Sequence, residues 1–189
     1  METSSTELTT QARRQAVVSR GEHQEFEEQQ QYLMFLLGTE VFAIGILGIK
    51  EIIEYHSVTE VPMMPACIRG VINLRGAVVP VMDLQVRFGR PPSDITKRTC
   101  IVIVEVQLEE ERQVVGLIVD MVNEVLDIAA TDIEPPPAFG AKIHSELILG
   151  MGKVKGNFVI LLNVDRVFSM DDAAVLASLG SLEAAAAIC

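Results

Sequence analysis

An internal repeat constrains this chain more than any other feature. Gly70-Val-Ile-Asn-Leu-Arg-Gly-Ala-Val-Val-Pro-Val-Met-Asp-Leu-Gln-Val-Arg-Phe88 aligns without gaps on Gly150-Met-Gly-Lys-Val-Lys-Gly-Asn-Phe-Val-Ile-Leu-Leu-Asn-Val-Asp-Arg-Val-Phe168. Gly70 falls on Gly150, Gly76 on Gly156, Asp83 on Asn163, Leu84 on Val164 and Phe88 on Phe168. A second match precedes each copy, Ile49-Lys-Glu-Ile-Ile-Glu54 with Val122-Asn-Glu-Val-Leu-Asp127. Each copy then carries a proline-bearing stretch, at 61–67 in the first and 133–139 in the second. One such match is coincidence; all of them in one order imply two similar units in tandem. A unit of about 60–70 residues is only marginally stable alone, so the twins are expected to pack together.

The texture between the tails is that of short strands. Apolar, largely β-branched or aromatic runs occupy 32–37, 41–47, 77–84, 99–106, 114–119 and 158–164. Gly, Pro or charged turns bound them, as buried strands require. Many short strands with few helical patterns between them point to barrels or a sandwich. A polar, proline-rich link at Gly89-Arg-Pro-Pro-Ser-Asp94 divides the chain into units of about 32–93 and 94–168. Residues 1–31, rich in Gln, Glu, Ser and Thr, read as a mobile tail. Within 169–189, Asp171 and Asp172 precede an Ala- and Leu-rich run that reads as a short C-terminal helix.

Composition excludes several classes. The 189 residues are 49% hydrophobic with a net charge of −11, which argues against disorder throughout and against nucleic-acid or anionic-membrane binding. Each tail carries −3, so the body carries only −5. Cys67, Cys100 and Cys189 are few, odd in number and far apart, which favours a reducing compartment over a disulfide framework. The polar N-terminus resembles no signal peptide, and no apolar run approaches a membrane span. The expectation is a soluble cytoplasmic protein.

Catalytic patterns are scarce. His23, His56 and His144 have no partner at metal-ligand spacing, and neither a metal nor another cofactor is expected. Gly150-Met-Gly-Lys-Val-Lys-Gly lacks the phosphate-loop pattern and is followed by a strand, so it reads as a turn. Asp83 and Asp120 end apolar strands, where carboxylates far more often cap a turn or bind backbone than catalyse. The chain is therefore not read as an enzyme. Binding leaves a clearer trace. Arg75 stands at a tight turn between apolar strands, and Glu51 ends a run that otherwise reads as buried. The two form either an ordinary surface pair of little value or the charged rim of an apolar groove between the units.

These residues resemble the CheW family of bacterial chemotaxis coupling proteins. The resemblance rests on Tyr32-Leu-Met-Phe-Leu-Leu-Gly, Ile49-Lys-Glu-Ile-Ile, the block Gly70–Leu84, Val115-Gly-Leu-Ile-Val-Asp-Met-Val, Ile133-Glu-Pro-Pro-Pro-Ala-Phe, Ile148-Leu-Gly-Met-Gly and Val159-Ile-Leu-Leu-Asn-Val. It runs in family order from about Tyr32 to Phe168, and the Gly70 block is its most specific part.

The resemblance implies an all-β fold of two tandem five-stranded SH3-like β-barrels packed together. It also implies a non-catalytic adaptor that links the cytoplasmic tip of chemoreceptors to the regulatory domain of the histidine kinase CheA, in arrays beneath the inner membrane. By position, Ile49, Glu51, Gly70, Asn73, Arg75 and Val78 are implied to lie in or near the receptor-binding groove, and Phe139 to face the kinase. The chain departs from the pattern at Ala43, at Gly45 and at Glu134, where an acid stands in place of a frequent base near the kinase contact. Two alternatives are a scaffold of the same fold in another kinase system, for surface motility or second-messenger output, and a small-molecule binder or enzyme using Asp83 or Asp120.

Overall fold

The computed structural model describes residues 29–137 and 145–168. The expected terminal helix, the tail before Gln29, His144 and Phe139 lie outside these residues. Eleven strands are described: β1 (Gln29–Leu37), β2 (Glu40–Gly45), β3 (Ile49–Glu54), β4 (Ile68–Leu74), β5 (Ala77–Asp83), β6 (Cys100–Leu108), β7 (Glu111–Val119), β8 (Met121–Ala129), β9 (Ile133–Glu134), β10 (Ile148–Val154) and β11 (Asn157–Leu162). One-turn helices α1 (Leu84–Arg87) and α2 (Val164–Val167) follow β5 and β11. The fold is the expected all-β pair of units, one built on a six-stranded sheet and one on a five-stranded sheet.

The sheets do not divide the chain at the proline-rich link. One sheet runs β8-β1-β2-β11-β10-β9, the other β3-β6-β7-β5-β4. The repeat corresponds to β3-β4-β5-α1 and β8-β10-β11-α2, and each copy is completed by a hairpin that lies beside the other copy in sequence. The hairpin β1–β2 precedes the first copy but pairs with β8 and β11 of the second. The hairpin β6–β7 precedes the second copy but pairs with β3 and β5 of the first. Residues 49–119 thus form one sheet, and 29–45 with 121–162 form the other, in place of the expected division into 32–93 and 94–168. The polar tail also ends earlier than expected. Gln29, Gln30 and Gln31 already pair with Ala129, Ile128 and Asp127, because β8 offers a backbone ladder that their exposed side chains do not oppose.

Burial explains why these hairpins read as unbroken apolar runs. On β1, Leu33, Phe35 and Leu37 enter a core shared by both sheets, whereas Tyr32 and Met34 enter the core of their own sheet. On β6, Val102, Val104 and Val106 enter the shared core, and Ile101 and Ile103 enter that of the other sheet. A strand buried on both faces has no polar side to alternate with. Phe42 stacks between Phe35 and Phe88 in the shared core, with ring centroids 6.2 and 5.7 Å away. Each sheet therefore stabilises the other through the hairpins.

The first glycine of the repeat marks a close approach of two backbones. At both Gly70 and Gly150 the ladder to the next strand shifts register, in a bulge after Ile68 and after Ile148. A Cβ on Gly70 would lie 2.1 Å from the Thr59 carbonyl oxygen, and one on Gly150 would lie 2.7 Å from that of Glu134. Thr59 and Val71 exchange two 2.9 Å backbone hydrogen bonds, which hold the chain at this distance. The repeat keeps glycine in both copies because only glycine admits this contact.

Candidate functional site

Four of the proposed binding residues come together at one end of the five-stranded sheet. The strands β4 and β5 pair from Ile68 to Leu74 and leave Arg75 and Gly76 as a two-residue loop. Both have positive φ, 53° and 88°, the geometry of a type I′ turn that suits the twist of its strands. The Asn73 side-chain carbonyl accepts a 2.9 Å hydrogen bond from the Gly76 amide and braces the turn. Val78, 40% exposed, lies opposite Asn73 on β5. From this base the Arg75 guanidinium donates a 3.0 Å hydrogen bond to Glu51 on β3. Its side chain is 80% exposed and that of Glu51 25%, so the donors not used on Glu51 face solvent.

The other two residues are placed differently. Ile49 is half-buried and packs against the shared core, two residues before Glu51. Gly70 is buried behind the patch, where its role is the backbone approach described above.

A chain of charges continues from this patch across the sheet. Lys50 reaches Glu105 on β6 at 2.8 Å, and Arg112 on β7 reaches the other carboxylate oxygen at 3.3 Å. The hydrogen bond from Lys50 holds the Glu105 carboxyl below its ordinary pKa, with help from the charges of Lys50 and Arg112 and against partial desolvation. Sequence reasoning missed this triad, because Lys50 and Glu105 meet only through the β3–β6 register.

The repeat also reproduces the acid–base pair, which sequence reasoning had the signal to find. Glu124 and Lys155 occupy the positions of Glu51 and Arg75 and stand 3.9 Å apart. Lys155 and Gly156 form a second turn with φ of 49° and 80°. Val125 and Phe158, matching Ile52 and Val78, are 48% and 54% exposed. On the same hairpin Lys153 bonds Glu134 at 2.5 Å, which raises the lysine pKa and sets a positive charge beside the acid found where the family pattern often has a base.

The two carboxylates weighed as catalytic candidates are engaged in structure. Asp83 is fully buried. It accepts from the Gln85 amide at 3.0 Å, from the Ser93 amide at 3.0 Å and from the Ser93 hydroxyl at 2.9 Å, and it lies 3.3 Å from Arg69. It caps α1 and ties the proline-rich link to the sheet. Asp120 accepts from the Gly38 amide at 2.6 Å and from the Gln85 carboxamide at 3.2 Å. His56 is exposed, and its Nδ1 lies 3.2 Å from the Glu54 carbonyl oxygen. Among the described residues no group of three His, Cys, Asp or Glu is arranged to hold a metal, and no helix is long and apolar enough to cross a membrane.

Comparison with known proteins adds independent findings. Residues 31–172 match the family model described as CheW-like domain. The chain is 34% identical over 147 residues to the chemotaxis protein CheW of Klebsiella aerogenes, covering 78% of this chain and 86% of that one. It is 35% identical over 159 residues to the chemotaxis protein CheW of Helicobacter pylori, covering 84% and 93%. The crystal structure of the scaffolding protein TtCheW from Thermoanaerobacter tengcongensis superposes with a TM-score of 0.69 at 32% identity, covering 81% of this chain and 96% of that one.

Proposed function

The chain belongs to the family of CheW-like domains, and from that membership we propose that it is a non-catalytic chemotaxis adaptor coupling receptors to a histidine kinase. The observation that carries the reading is the Glu51–Arg75 pair, set on a rigid two-residue turn with most of the arginine in solvent. A fixed guanidinium beside the half-exposed Val78 suits a helical partner that buries apolar side chains and offers an acceptor at its rim. In this reading the partner at that face is the cytoplasmic tip of a chemoreceptor. Ile49, Glu51, Asn73 and Val78 frame the contact, and Gly70 shapes the strand beneath it.

The second partner is the regulatory domain of the kinase CheA, with Phe139 at its contact. Charge supports this assignment at one point. The departure at Glu134 is partly offset, since Lys153 is bonded to it. The adaptor then acts from the cytoplasm, at the membrane only through its partners, and supplies no chemistry. It holds the kinase where the receptor can bias it, a coupling of about 1–3 kcal/mol.

Co-sedimentation with a receptor signalling-tip fragment and the kinase regulatory region, singly and together, tests the proposal. The expected result is binding to each, with more kinase recovered when all three are present. Binding to neither would move the function to a scaffold of the same fold in another kinase system.

A further inference from the structure

We propose that the cavity at the seam of the two sheets seats the guanidinium group of an arginine presented by a partner protein. The cavity, of about 540 Å³, lies between the β1–β2 turn, α1, the proline-rich link and Asp120, which joins β7 to β8. None of its lining residues belongs to the Glu51–Arg75 patch, so the inference stands apart from the proposed function. Its rim is exposed at Thr39, Glu40 and Asp94, and Gln85 lines it while only 8% exposed.

Two acceptor oxygens in its wall have no hydrogen-bond partner. The Gln85 carboxamide donates an N–H to Asp120 Oδ2 at 3.2 Å, and its Oε1 is unbonded. Asp120 Oδ2 also takes the Gly38 amide at 2.6 Å, while Asp120 Oδ1 is unbonded. Both orphan atoms are buried, where an unmatched acceptor is unfavourable. The Gln85–Asp120 bond keeps the two side chains together, so each brings one unmatched oxygen to the same wall of the cavity. The terminal torsions of a carboxamide and a carboxylate are broad, so a small turn that keeps the Gln85–Asp120 and Gly38–Asp120 bonds brings these oxygens within reach of a ligand.

Charge selects the donor. The cavity is lined by three carboxylates, Glu40, Asp94 and Asp120, and one base, Arg90. Arg90 is already committed: it pairs with Glu40, donates to the Leu37 carbonyl at 3.5 Å and lies 5.9 Å from the centroid of the Phe42 ring. Asp94 and Asp120 leave two negative charges uncompensated, which calls for a cation. A metal ion fits poorly, because no described cluster supplies three anionic or nitrogen ligands. An ammonium is a compact, strongly hydrated point charge. A guanidinium offers parallel, coplanar N–H donors matched to two neighbouring oxygens.

Isotope-labelled full-length protein is titrated, with amide shifts followed by NMR, against N-acetyl-arginine methylamide, its lysine counterpart and its citrulline counterpart, a neutral isostere. The arginine probe is expected to shift Gly38, Thr39 and Ser93, and the citrulline probe to leave them unmoved. Asp94→Asn, at an exposed site that spares the fold, is expected to weaken the arginine probe about fivefold, the loss of one partly exposed charge contact. Asp120→Asn should abolish its effect, with the remaining spectrum as the check on folding. Equal shifts from citrulline or lysine, shifts confined to other surfaces, or unchanged binding by Asp94→Asn would each overturn the assignment.

Discussion

The guanidinium of Arg75 donates a 3.0 Å hydrogen bond to Glu51 from a backbone held at φ 53°, while 80% of its side chain stays in solvent. The contact joins the tip of the β4–β5 hairpin to β3, which lie at opposite ends of the strand order. Exposed ion pairs contribute little to stability, because solvent screens them and two long side chains must be ordered. An arginine fixed in this way is better suited to orienting a partner than to holding the fold.

Arg75→Ala is therefore expected to cost less than about 1 kcal/mol in folding stability. Loss of receptor-tip binding should be about tenfold, the scale of a central interface side chain. Thermal melts and co-sedimentation read the two effects separately. A variant that unfolds, or one that binds as before, would remove Arg75 from the proposed contact.

The glycines of the first copy separate backbone strain from steric collision. Gly76 has φ 88° but open space where a methyl group would stand, whereas Gly70, at φ 148°, meets the Thr59 carbonyl at 2.1 Å. Gly76→Ala should cost about 1 kcal/mol, the penalty of an unfavourable φ alone. Gly70→Ala adds a clash with backbone that hydrogen bonds hold in place, and should cost about 3 kcal/mol or more. Urea melts of the two variants give the comparison, and equal costs would contradict the close approach.

Asp83 makes a third case, in which a carboxylate weighed as catalytic organises the chain instead. Replacing it by Asn puts an amide donor in place of one oxygen, facing either the Gln85 amide and the Ser93 hydroxyl or the Ser93 amide and Arg69, all of which donate to Asp83. Loss of a buried, multiply bonded charge should cost about 2–4 kcal/mol. The Ser93 amide should also exchange faster with solvent than those of β6. At the matching position the second copy carries Asn163, whose side chain caps nothing on α2.

How far the fold could be read from residues depended on whether a feature was local. Six strands were legible from apolar runs, because hairpins buried on both faces cannot alternate. The strand β8 was legible only through the repeat, since Asn123, Glu124 and Asp127 break its apolar texture at exposed positions. The exchange of hairpins between the two copies was not legible at all. Ladder partners are chosen by the packing of the whole core, and β1 reads the same whether it pairs with β3 or with β8. The family resemblance marked Gly70 as a binding residue, and only the structure shows the Thr59 carbonyl that accounts for it. Glu51 and Arg75 could be suspected of pairing because both stood out as charges in apolar surroundings. Lys50 and Glu105 carried no such signal, each being ordinary in its own segment.

That last pair gives a prediction with a definite sign. Glu105 has a folded-state pKa below the ordinary value of about 4.3, chiefly through its hydrogen bond from Lys50. A carboxyl lowered on folding contributes stability that is present above its unfolded pKa and lost as pH falls through its folded one. Lys50→Met should raise the Glu105 titration midpoint toward the ordinary range, though not fully, since Arg112 still contacts the second oxygen at 3.3 Å. The loss of stability on acidification should then begin from a smaller contribution at neutral pH and leave a shallower slope below about pH 4.3. Carboxyl NMR titration of the two proteins measures the midpoint directly, and an unchanged value would mean that Lys50 is not what holds Glu105 ionised.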